Sequence, residues 1–248
     1  MHVFRATIAA LLLIAGQPVV AQPADVKDAA ALKPEADVMR NSWKMQPNKP
    51  IALSMPLFGR IMQVKLSVGF VPAHRAQNQS GFIYEFVPDG DDIERWTQLF
   101  TITSMRGIGS FQMDDGALAA SVSGSSTGCS GTPTFKIIRP AIVVGGATGV
   151  VTEKRCSGVT AGSYVGAVEG SEEHNLIVFL RDADNVFTVQ FARRGKGGAS
   201  GEPLISPQET EAFLKQIEPI LLCERASILP GCRELLAINA MREGPTKR

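Results

Sequence analysis

Apolar and polar positions alternate in pairs through much of the chain, the period of half-buried strands rather than of helices. Across 61–71, Met62, Val64, Leu66 and Val68 interleave with Gln63, Lys65 and Ser67, which predicts a strand with one covered face. Residues 80–87 are aromatic and β-branched, and 96–104 alternate again. Between these two runs, Pro88-Asp89-Gly90-Asp91-Asp92 has the residues of a tight turn. Residues 134–144 and 147–154 read as two further strands separated by Gly145-Gly146. Pro140 cannot donate to a ladder, so the first is bent or lies at an edge. Residues 175–181 and 186–193 form a hairpin through Asp182-Ala183-Asp184-Asn185, and 194–203 is a Gly-rich basic loop.

The helical period comes late. Ser206-Pro207-Gln208-Glu209 is a capping box with proline at the first helical position. Phe213, Ile217, Ile220 and Leu221 then fall on one face, and Pro219 kinks or ends the helix. A weaker helix is predicted over 110–122, interrupted by Gly116. A short one is predicted over 233–241, after the Leu229-Pro230-Gly231 turn. Strands with a late helix predict an α+β fold: a mostly antiparallel sheet with helices packed on it, sandwich-like, in a single domain over 51–248. Residues 22–50 are polar, with prolines at 23, 34, 47 and 50, and predict a flexible leader with a short helix around 25–32.

The N-terminus gives an address. Arg5 precedes an unbroken apolar run at 8–15. Gly16 and Pro18 break it, and Val19-Val20-Ala21 offers small residues for cleavage. Residues 1–21 therefore read as a secretory signal peptide cut near Ala21, and the localisation as periplasmic or secreted. The run is too short to span a bilayer, which takes about 20 residues. No Cys follows it to carry a lipid, and the mature chain has no second run of spanning length. Losing the signal removes Arg5, one of 25 basic residues, against 24 acidic ones, so the mature chain is formally neutral. A nucleic-acid partner is excluded on that balance. Cys129, Cys156, Cys223 and Cys232 behind an export signal predict two disulfides. The sequence-local pairing Cys129–Cys156 and Cys223–Cys232 is favoured, each bridge worth about 3 kcal/mol in chain entropy. No CxxC pair supports a structural metal, and no cofactor is implied.

Candidate chemistry is sparse. Gly124-Ser125-Ser126-Thr127-Gly128 matches the GxSxG nucleophile elbow, with His174 as base and Asp182 or Asp184 behind it. An elbow needs a strand before the serine and a helix after it. Here a helix-like stretch precedes it, and Cys129-Ser130-Gly131-Thr132-Pro133 follows. Beyond His2 in the signal there are only His74 and His174, neither at zinc spacing. Glu172, Glu173 and His174 would make a cation site with Asp182 and Asp184 only if the hairpin brought them together. Asp89-Gly90-Asp91-Asp92 lacks the calcium-loop spacing. Arg193, Arg194 and Lys196 form a basic, flexible candidate for an anion or lipid head group without a Walker pattern. Tyr84 and Trp96, near or on alternating strands, read as core.

Two stretches carry a resemblance. SGFIYEFVPDGDDIERWTQLFTIT, and NLIVFLRDADNVFTVQFARR followed by ETEAFLKQIEPILLC, resemble small secreted bacterial proteins of PsbP-like type at the level of pattern over 61–223. The resemblance implies an antiparallel sheet sandwiched by helices, and an exported non-enzyme. The function expected is thus a binding or accessory role in the cell envelope, toward a protein or ligand that the sequence does not name. The alternatives are a serine hydrolase using Ser126 and His174, and a peripheral lipid- or anion-binding protein using Arg193, Arg194 and Lys196.

Overall fold

The computed structural model describes residues 25–124, 128–160, 170–196, 203–224 and 231–233. Eight antiparallel strands form one large sheet: β1 (Asp25–Lys27), β4 (Phe70–Gln77), β5 (Gly81–Pro88), β6 (Gln98–Arg106), β10 (Asn185–Gly195), β9 (Glu172–Arg181), β8 (Ala147–Ser157) and β7 (Thr134–Val144), in that spatial order. A second sheet has three strands, β11 (Leu221–Glu224), β3 (Arg60–Leu66) and β2 (Ile51–Leu57), with β3 central. Three helices accompany them: α1 (Lys33–Met45), α2 (Asp115–Ser123) and α3 (Pro207–Ile217). The result is the expected mostly antiparallel, sheet-dominated fold.

One face of the large sheet builds the main core. Alternation puts Phe82, Tyr84 and Phe86 of β5 beside Phe100 and Ile102 of β6 and Phe187 and Val189 of β10. Met55, Met62, Val64 and Leu66 of the small sheet, with Phe213, Leu214 and Ile217 of α3, join the same cluster. Met39 of α1 joins it as well, so this face is covered by a second sheet together with helices, not by helices alone. Phe213 stacks on Phe191 at 5.3 Å and meets Phe100 edge-on at 6.3 Å. The opposite face carries two smaller clusters. Ala36 of α1 meets Val71, Val87, Trp96 and Leu99 in one, and Leu118 and Ala119 of α2 meet Val150 and Phe179 in the other.

Several boundaries differ from the sequence expectation, each for a local reason. The single strand expected over 61–71 is two. Gly69, at φ +90°, turns the chain between β3 and β4, and Val68, expected on the covered face, is 39% exposed. The stretch expected as a leader with a helix at 25–32 instead pairs as β1 with β4, and its helix starts at Lys33. α1 packs on β4, beside the short span that β1 pairs, so this edge of the sheet is covered. The helix expected over 110–122 begins at Asp115, because the Asp114 side chain caps it by accepting from Ala117 N–H. The late helix keeps its Ser206–Glu209 box but stops at Ile217, so Ile220 lies outside it and Leu221 opens β11. Leu214, not foreseen on the buried face, is 3% exposed. β7 is an edge strand with register shifts on both sides of Arg139, in keeping with Pro140. Of the helix expected over 233–241, only Arg233 is among the described residues.

Candidate functional site

The strands fix where each candidate residue stands. His174 and Asp182 lie at opposite ends of β9, eight residues apart, which is about 26 Å along a strand. The hairpin thus separates His174 from Asp182 and Asp184, and neither the triad order nor the cation cluster expected from them is formed. Ser126 lies outside the described residues. His174 is 1% exposed. Its Nδ1 accepts the Ile205 N–H at 3.0 Å, and its Nε2 faces Glu153 Oε1 at 3.1 Å. Burial holds this imidazole well below its usual pKa, against the pull of Glu153. Among the described residues no group of three or more His, Cys, Asp or Glu side chains is arranged to hold a metal.

The basic candidates do not converge. Arg193 and Arg194 are consecutive on β10 and so point to opposite faces. Arg193 donates to the Leu204 carbonyl at 2.8 Å and pairs with Glu209 at 2.6 Å, tying α3 to the sheet. The backbone N–H of Ser206, first, and then Arg193 pull the Glu209 carboxyl down to about 2. Arg194 stacks over Trp96 at 3.6 Å from the ring centroid and pairs with Glu173 at 3.0 Å. Lys196 is exposed at the strand's end. The aspartate-rich turn is also structural: Asp89 pairs with Arg40, Asp91 accepts from Thr97, and Asp92 pairs with Arg95.

The four cysteine sulfurs stand in two pairs, Cys129–Cys156 at 2.14 Å and Cys223–Cys232 at 1.99 Å. Cys156 opposes Glu173 near the start of β9, whereas Cys223 neighbours Glu224, whose partner Arg60 reaches the far end of β9. One bridge therefore sits toward each end of the molecule.

Concave surface gathers at that far end, around the β9–β10 turn. A cleft of about 650 Å³ lies between the 109–114 segment and Gly146, Thr148, Arg181, Asp182 and Ala183. A second, of about 400 Å³, lies on the other side of Asp182 and Ala183, walled by Phe58, Gly59, Arg60 and Glu224. The turn between them is rigid. Asp182 Oδ1 accepts from the backbone of Asp184 and Asn185 and from the Asn185 amide, and its Oδ2 takes Arg60 at 2.9 Å. Arg181 pairs with Asp115 and donates to the carbonyls of Phe111 and Met113, which fixes the first cleft's wall. Gly109 is required there, since a Cβ would stand 2.4 Å from the Asp182 carbonyl oxygen. The turn could be read in the sequence. Arg60, Arg181 and Glu224 could not, because their partners come from distant strands.

The covered second face holds an unusual polar row. Strand register lines up His74, Glu85, Thr101, Gln190, Ile177 and Thr152 across six strands. Burial alone pushes the Glu85 carboxyl up to about 7. Tyr84, on the other face, is bound by another long-range contact: its phenol donates to Glu35 of α1, which also pairs with Arg75 at 3.2 Å. Compared with known proteins, the chain matches no family model, no curated protein and no solved structure.

Proposed function

We propose that this is an exported, non-enzymatic protein that matures in an oxidising compartment and serves a binding or accessory role in the cell envelope. The observation that carries the reading is the pairing of all four cysteines at bonding distance, behind an N-terminus with every part of a secretory signal. Among the described residues no helix is long and apolar enough to cross a membrane. The resemblance of 61–223 to PsbP-like secreted proteins points the same way. The surface we assign to contact is the pair of clefts flanking Asp182 and Ala183, where loops are held on a rigid sheet. Its floor is made of internally paired charges, which suits recognition of shape and backbone more than bond-breaking chemistry.

A photo-crosslinking residue at Ala183, an exposed position on the turn, tests this in the native envelope. The expected result is a discrete adduct from Ala183 and none from the same residue placed at exposed Lys49. Absence of adducts at both positions, or stoichiometric labelling by a serine-directed fluorophosphonate that Ser126→Ala abolishes, would overturn the proposal.

A further inference from the structure

His174 stands beside the junction that enters α3, and its contacts amount to a latch. Residues 204–206 run across the end of β9 and β10 and are held by two side chains that face each other across those strands, His174 and Arg193. The Arg193 guanidinium takes the Leu204 carbonyl, and the His174 Nδ1 takes the N–H of the next residue, Ile205. Ser206 then caps α3, its own N–H bound by Glu209, which Arg193 also holds. Accepting from Ile205 leaves Nδ1 unprotonated, so the proton of the neutral ring is on Nε2, facing Glu153.

We infer that His174 is the pin of an acid-sensitive latch: the neutral imidazole holds residues 204–206 on the large sheet, and its protonation lets that segment and the first turn of α3 come away. Adding a proton to Nδ1 turns the acceptor into a donor that points at another donor 3.0 Å away. The hydrogen bond must break, and the ring, 1% exposed, reaches water only if the segment lifts. Four charged side chains set the balance. Glu153 of β8, which faces Nε2, favours the imidazolium directly, and Glu209 at the start of α3 acts only through Arg193, which it pairs. Arg155 of β8, directly opposite His174, and Arg193 of β10 oppose it. Glu153 is shared with Arg155 and Glu209 with Arg193, so neither carboxylate is at liberty to neutralise the new charge fully. The latch therefore opens in moderate acid, not at neutrality. Opening is local, because Ile205 leaves one edge of the core while Val189 and Phe187 stay paired in the middle of the sheet. An exported protein that meets acid would thereby change the surface at the start of α3 without unfolding.

The test uses the mature chain and amide exchange by NMR between pH 7.5 and 3.0, a range that spans the lowered His174 pKa, with rates corrected for intrinsic exchange. The Ile205 amide should lose about tenfold or more in protection as the His174 ring nitrogens titrate in the same sample, while the Val189 amide stays protected. His174→Asn keeps an acceptor near the Nδ1 position without a titrating ring, and its Ile205 protection should be flat with pH. If that variant does not fold, the wild-type comparison decides alone. An imidazole that stays neutral to pH 3.0, flat Ile205 protection while the ring titrates, or joint loss at Ile205 and Val189 would each overturn the latch. So would a pH-dependent loss that persists in a folded His174→Asn.

Discussion

Two buried groups on opposite faces of the large sheet titrate in opposite senses. His174 has a pKa lowered by burial, so the unfolded chain takes up its proton first as the pH falls. The stability tied to neutral His174 is complete above its ordinary pKa near 6.5 and is lost as acid drives the pH below it. Glu85 is raised to about 7, so its contribution is complete below an ordinary carboxyl pKa near 4.5 and is lost as the pH climbs through 7. Glu85→Gln should therefore stabilise the protein at pH 7.5 by about 2–3 kcal/mol and change little at pH 4. Urea unfolding at the two pH values checks this, and an equal effect at both would contradict the assignment. His174 stands out in the sequence as one of two histidines after the signal, but its burial does not, and Glu85 does not stand out at all. Glu85 sits in an alternating strand where a carboxylate reads as solvent-facing, and only the covering of the second face reverses that reading.

At the scale of elements, α3 is the best-specified piece. Its cap, its proline and its buried Phe213 all follow from local sequence, and Phe213 is 6% exposed against two aromatic neighbours. Phe213→Ala should cost about 3–5 kcal/mol, while Lys215→Ala, on the exposed side, should stay within about 0.5 kcal/mol. Chemical denaturation of both variants measures the difference, and equal losses would mean the helix packs by another face. Strand positions are legible where apolar or β-branched runs lie between strong turns, as in β7 and the β9–β10 hairpin. They failed where an alternating run continued across a glycine turn, so that β3 and β4 read as one strand. The N-terminal segment departs from its expected form for a different reason. β1 is only three residues long and exists through its pairing with β4, a tertiary contact that no local pattern encodes. The site is harder still: its turn can be read, but Arg60, Arg181 and Glu224 acquire meaning only when distant strands are laid side by side.

Over the whole molecule, the two sheets share one core, and each pair of cysteines ties a peripheral segment to it. Cys129–Cys156 fastens the segment that carries Cys129 to the end of β8, and Cys223–Cys232 fastens residues 231–233 to β11, whose Glu224 walls the second cleft. Both follow from the proposal that the chain folds after export. Peptide mapping by mass spectrometry, under non-reducing conditions, of the protein collected from the exported fraction tests that proposal most directly. The account predicts an N-terminal peptide beginning at or near Gln22, with Cys129 linked to Cys156 and Cys223 to Cys232. Peptides retaining Met1 together with four free thiols, or a bridge between Cys156 and Cys223, would contradict it.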